Sequence, residues 1–265
     1  MSALTKSALK KALKKQYITV NDVIATTATL IQGGECIVLN IPEEIKPSKQ
    51  LIFPLNVLFE DDYLAIIHKP AGILVSGNGF KTITYALPQN LKSSTLKDAT
   101  KPQPVHRLDY ATTGALLVGK TSSSIRVLNE LFEEKKIQKT YYAITIGKMS
   151  KEGIITSEVD GKESKSGYEV IESIVSERFG MLNLVKLNPF TGRRHQLRIH
   201  LASIGNPILG DKTYGKEPFI LKGKGLYLHA YSLQFTHPFT QESIHIKDAF
   251  PERFQKLFAD QLATL

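Results

Sequence analysis

His106-Arg107-Leu108-Asp109-Tyr110-Ala111-Thr112-Thr113-Gly114 sets an acid, with a guanidinium two residues before it, into a turn-like segment. Apolar Val105 precedes the stretch and the strand-like run Ala115-Leu116-Leu117-Val118 follows it, so the acid stands at the mouth of a strand. A carboxylate placed there, flanked by Arg and His, has the surroundings of a nucleophile or general base. The same residues also make ordinary turn chemistry, because Asp before Thr-Thr-Gly can bond its carboxylate to nearby backbone N–H groups. Alone, the nonamer favours the turn. The remainder of the chain shifts the balance.

Outward from the acid, periodicity and turn residues predict an α+β chain with a largely antiparallel sheet. Val57-Leu58-Phe59 and Tyr63 to Ile67 read as strands across the acidic turn Glu60-Asp61-Asp62. Lys69-Pro70-Ala71-Gly72 reads as a turn, Ile73 to Val75 as a resumed strand, and Ser76 to Gln103 as a long loop with a short helix near Thr82 to Leu87. Thr121 or Ser122 caps a helix running to about Lys136, with Ile125, Leu128 and Phe132 on its buried stripe. Thr140 to Ile146 alternates as a strand, which sends Tyr141 and Tyr142 to opposite faces, one to the core and one to a cleft. Tyr168 to Val175 and Met181 to Leu187 form a hairpin around Gly180. His195 to Ile204 is helical in period, with Leu197, Leu201 and Ile204 inward and Gly205 as the stop. Strands Leu226 to Phe235 and Ser243 to Ile246 and a helix from Glu252 complete the chain.

The first forty residues read differently. Ser7 to Lys15 makes an amphipathic helix, with Ala8, Leu9, Ala12 and Leu13 on one face and Lys10, Lys11, Lys14 and Lys15 on the rest. A short strand, Tyr17 to Val20, a turn at Asn21-Asp22 and a Gly33-Gly34 turn into Cys36 to Leu39 follow. Helix, turn and small hairpin suit a compact RNA-binding module, and a solvated lysine face explains the helix equally well. Pro42 to Pro54 is Pro- and Lys-rich and reads as the link. The expected organisation is therefore a module at 1–45, a linker at 46–55 and a catalytic domain at 56–265.

Size and charge bound the function. The 265 residues suit one large domain plus an appendage. A formal charge of +9 points to an anionic partner, of which nucleic acid is the commonest large one. No apolar run approaches a membrane span. A single cysteine, Cys36, excludes an internal disulfide and fits a reducing compartment, taken as the cytoplasm. Met1 to Lys15 has neither arginines nor an apolar core, so it reads as part of the mature fold and not as a targeting segment.

Thr191-Gly192-Arg193-Arg194-His195-Gln196-Leu197-Arg198-Ile199-His200 opens the helix predicted through Ile204. Arg193 and Arg194 near its start suit a phosphate, since free N–H groups gather there. Three arginines on one short helix require anionic partners, and Arg198, beside the buried stripe, is the best placed to pair with a carboxylate. His195 and His200 are five residues apart, which is poor spacing for a shared metal, so none is expected. Gly210-Asp211-Lys212-Thr213-Tyr214-Gly215 suits a structural turn or a substrate contact.

Together these segments resemble the RluA-type pseudouridine synthases. That family's pattern has a His-Arg-Leu-Asp box ending in Thr-Ser-Gly, a Lys-x-Tyr strand, a Thr-Gly-Arg-x-His-Gln-Ile-Arg-x-His-Leu helix, a Gly-Asp-x-x-Tyr-Gly loop and a Leu-His-Ala strand. All five stand in order here, from Asn56 to about Phe250, with Lys69-Pro70-Ala71-Gly72 as a further match. Thr113 replaces the usual Ser, Leu197 the usual Ile, and Tyr110 an Arg found in many relatives. The N-terminal forty residues resemble a truncated ribosomal-protein-S-four type module of α/β structure.

The resemblance implies an α+β catalytic domain with a central cleft, isomerising uridine in RNA without a metal or organic cofactor. Asp109 would be the catalytic carboxylate, Arg198 its matching cation, and Tyr141 a partner of the uracil. The acid would assist cleavage of the glycosidic bond, by attack on the sugar or by removal of a sugar proton, before the turned uracil is re-attached through carbon. The base must first leave its stack. Arg107 would fill the gap, His106, Thr113 and Leu197 would contact substrate, and Arg193 and Arg194 would hold flanking backbone. Ribosomal RNA is favoured over transfer RNA as the partner, and the chain is read as a monomer. The rival reading is an RNA-binding or RNA-remodelling protein that has lost its chemistry. A sugar hydrolase would want a second carboxylate, and no pair stands out.

Overall fold

The computed structural model describes residues 6–40, 51–221, 223 and 225–265. Residues 46–50 of the expected linker, and 1–5 and 41–45 of the expected module, lie outside these. The chain divides into two compact units, Met1–Ser48 and Lys49–Leu265.

In the smaller unit, α1 (Lys6–Lys14) leads into β1 (Ile18–Val20), β2 (Val23–Ile24) and β3 (Ile37–Leu39), an antiparallel sheet ordered β2-β1-β3. The Asn21-Asp22 turn is as expected, with both residues at positive φ, but the sequence concealed β2 beyond it. Ala12, Ile18 and Ala25 form a small core. Leu9 is 42% exposed and so lies off the buried face where periodicity put it. Lys10, Lys11, Lys14 and Lys15 are all exposed.

The larger unit runs β4 (Val57–Glu60), β5 (Leu64–Lys69), α2 (Ile83–Ala86) with a 3-10 turn at Leu87–Gln89, β6 (Ala99–Pro104), β7 (Thr113–Thr121) and α3 (Ser122–Glu133). It continues with β8 (Gln138–Ile146), β9 (Glu152–Val159), β10 (Lys162–Ser176), β11 (Gly180–Pro189), α4 (Gln196–Ser203), β12 (Leu228–Thr236), β13 (Ser243–Lys247) and α5 (Glu252–Leu262). A ten-stranded sheet is ordered β4-β5-β7-β12-β8-β11-β10-β9, with β13 on β12 and β6 on β7. All pairs among the described residues are antiparallel except β7 with β12, so the expected α+β class is borne out.

The strand after the acid organises this sheet. In β7, Ala115 and Leu117 join one core and Leu116 and Val118 another, and β5 divides the same way between Leu64 and Ile66 and between Ala65 and Ile67. Two-residue periodicity buried on both faces explains why these runs read as continuously apolar. Gly114 lets β12 close on β7, since a Cβ there would lie 2.2 Å from the Ala230 carbonyl oxygen. Thr121, one of the two caps the sequence offered, caps α3 in a box with Ser124.

Three readings are corrected. Leu51 to Leu55 is no linker: Leu51, Phe53 and Leu55 pack on the core of the larger unit, and Asn90 bonds the backbone of Phe53 and Leu55. Ile73 to Val75 forms no strand beyond a bridge from Leu74 to Thr82. The supposed loop Ser76 to Gln103 contains β6, held by β7 and not by any apolar pattern of its own.

Candidate active site

What its neighbours bury decides where Asp109 points. Val105 and Leu108 are buried, and the Val105 N–H donates to the Leu117 carbonyl at 3.1 Å. Arg107 and Asp109 line an open cleft of about 1280 Å³, to which Val105 and Leu108 add apolar lining. The Thr112 N–H closes a turn on the Asp109 carbonyl at 3.1 Å.

Against that turn packs a residue to which the sequence assigned no role beyond a turn and a further family match. Lys69, fully buried at the end of β5, donates from Nζ to the carbonyls of Pro70 and Thr112, both at 2.9 Å, and of Tyr110 at 3.4 Å. Burial pushes its pKa down to about 8, against the opposing pull of Asp109.

Two side chains converge on the acid from the segment around α4. Arg198 Nη1 lies 3.5 Å from Asp109 Oδ2, and His195 Nε2 lies 3.7 Å from Asp109 Oδ1. The firmer partner of Arg198, however, is Asp211, which takes Nε at 2.7 Å and Nη2 at 2.8 Å. Burial alone would raise the Asp211 pKa, but bonds from Arg198 and from the N–H groups of Tyr214 and Thr213 bring it below the usual range. Arg198 in turn is held charged: burial opposes its proton, and the Asp211 bonds and the Asp109 charge outweigh that. This is a fork on a carboxylate, leaving one guanidinium nitrogen for Asp109. Asp211 was a turn or a contact to the sequence; the adjacent Gly210, at positive φ, was the available signal.

His195 stands at the start of α4 with φ of 56°, and its Nδ1 lies 3.0 Å from the Tyr214 hydroxyl. Burial lowers its pKa, with Asp109 opposing and Arg198 and Arg194 adding to the drop. Gln196 builds the turn before it: its Oε1 accepts from Thr191 Oγ1 and Arg193 N, and its Nε2 donates to the Lys165 carbonyl and Ser166 Oγ. Arg193 and Arg194 lie in this turn and not on the helix, exposed along the cleft. His200 faces elsewhere, with its Nε2 2.7 Å from Ser164 Oγ.

Tyr141 enters the cleft from β8 while Tyr142 is buried against Tyr231 and Phe250, the division that strand alternation required. Burial and then Asp109 raise the Tyr141 pKa, so the phenol keeps its proton. Leu197 and Leu228 supply apolar lining.

Three sequence assignments change. Thr113 is buried in β7 with Oγ1 2.9 Å from His229 Nδ1, and it is Thr112 that lines the cleft. His106 lines the cleft but its Nε2 accepts the Leu117 N–H at 2.9 Å, and burial pushes its pKa down to about 3, so it is a neutral support for the loop. Ile204 is 40% exposed, beyond the inward face of α4.

Residues 63–203 match the model of the RNA pseudouridylate synthase family. An RNA pseudouridine synthase of Aquifex aeolicus is 31% identical, over 96% of this chain and 89% of its own. A "Ribosomal large subunit pseudouridine synthase C" of Rickettsia felis is also 31% identical, over 97% and 92%. Among solved structures, human RNA Pseudouridylate Synthase Domain Containing 4 superposes with a TM-score of 0.61 at 26% identity, covering 78% of this chain and 93% of that one. The chain therefore belongs to the RNA pseudouridylate synthase family, and the resemblance carried by the five motifs is borne out.

Proposed function

We propose that this chain converts specific uridines of ribosomal RNA to pseudouridine, with Asp109 as the catalytic carboxylate. The observation that carries the reading is the Asp109 carboxylate in a cleft also lined by Arg107, Arg193 and Arg194, faced by Arg198 at 3.5 Å and His195 at 3.7 Å. Arg198 supplies the cation, Tyr141 meets the uracil with a protonated hydroxyl, and apolar Leu197 and Leu228 exclude water from the reacting sugar. Arg107, exposed beside the acid, takes the place of the extruded base, and Arg193 and Arg194 hold flanking phosphates. The N-terminal helix adds a second basic face, supporting an RNA partner for the smaller unit. Similarity to ribosomal large subunit pseudouridine synthases such as that of Rickettsia felis supports ribosomal RNA as the substrate. Asp109, Tyr141 and Arg198 meeting in one cleft favours turnover over RNA binding alone.

Asp109→Asn is expected to abolish isomerisation while leaving RNA affinity within a few-fold. Tritium release from ribosomal RNA labelled at carbon five of uridine measures the first, and filter binding the second. Undiminished release by the variant removes Asp109 from the mechanism.

A further inference from the structure

Two aromatic rings stand open at this cleft with no role in the chemistry above. Tyr110, directly after the acid, is 57% exposed although its backbone is tightly held: its carbonyl accepts from Gly72 N at 2.8 Å and from Lys69 Nζ at 3.4 Å. Phe190, just before the Thr191 to Arg194 turn, is 48% exposed, and its N–H donates to the Lys165 carbonyl at 3.0 Å. Its ring lies against Gly167, where a Cβ would come within 3.4 Å, and the Lys165 ammonium sits 5.4 Å from the ring centroid. Both rings line the same cavity as Asp109.

We infer that Tyr110 and Phe190 are stacking platforms for the nucleobases on either side of the target uridine. An anchored backbone under an exposed ring is a preformed surface, and every base offers it a π-face. The nearby cations Lys165, Arg193 and Arg194 suit the phosphates of a strand laid across those rings. Arg107 fills the gap that extrusion leaves in the stack, and an aromatic face on each side holds the flanking base beyond it. The inference rests on RNA being the substrate and makes these rings determinants of local sequence and strand preference.

The test uses the full chain and a short single-stranded RNA bearing one uridine, with 2-aminopurine placed on its 5′ or its 3′ side. Stacking on a protein ring should quench each probe on binding. Tyr110→Ala should abolish the quench on one side and Phe190→Ala on the other, each weakening binding roughly tenfold. Phe190→Tyr should restore both, whereas Phe190→Leu, apolar but without a π-face, should behave like Ala. With an abasic nucleotide at the matching position, the ring substitution should cost nothing further. Quenching that survives both alanine variants, or a Leu variant that binds like the parent, overturns the inference. Because quenching does not require turnover, these results stand apart from tritium release: uridine conversion that ignores both rings refutes the platforms and leaves the proposed function standing.

Discussion

Asp109 depends on two buried charges that never need touch RNA. Arg198 is aimed by Asp211, so Asp211→Asn is expected to cut kcat by about 10²-fold, the cost of a misplaced catalytic partner, with KM little changed. Steady-state tritium release checks this, and a lowered kcat with an intact melt marks a positioning effect. Arg198→Ala strands the buried Asp211 carboxylate and should destabilise the protein by about 3–5 kcal/mol, measured by denaturant unfolding. Lys69 sets a pH limit. Its cation satisfies three carbonyls, and a neutral amine has only two hydrogens to donate. Activity should therefore fall as pH rises through about 8. Stability moves the other way: the folded pKa lies below the reference value of 10.5, so burying the cation costs stability below about pH 8, and the cost fades as pH climbs toward 10.5. An alkaline loss of turnover in protein that remains folded supports this; a flat profile across that range refutes it.

At the scale of elements, β7 joins the acid to the sheet. Gly114→Ala puts a methyl against the Ala230 backbone at a φ of 126°, and strain with overpacking should cost about 3 kcal/mol or more. A thermal melt near that of the parent would show that β12 can shift to make room. Elements that bury their own pattern were legible: β7 from its apolar run, α3 from its Thr121 cap, the β10–β11 hairpin from Gly180. Elements that borrow stability from a partner were not. β6 reads Ala-Thr-Lys-Pro-Gln-Pro and is largely exposed, so only its pairing with β7 makes it a strand. Ile73 to Val75 has the composition of a strand but lacks a partner along its length. The αL residue His195 starts α4 later than the apolar period suggests, which removes Arg193 and Arg194 from the helix.

For the whole molecule, the formal charge of +9 suits a polyanionic partner, and salt dependence is the signature of such binding. Changing Lys10, Lys11, Lys14 and Lys15 together to Ala should weaken RNA binding and flatten its dependence on salt. A slope equal to that of the parent means these exposed lysines are merely solvated. The amino-acid order alone determined the α+β class, the basic character, the acid at a strand mouth and the five-motif family pattern, because each is written in contiguous residues or in their periodicity. Tertiary structure alone decided that Asp211 holds Arg198, that Lys69 supports the acid's turn, that His195 faces Asp109 and that Thr113 turns away from the cleft. Those relations join residues distant along the chain, and no local pattern encodes which buried charge will meet which.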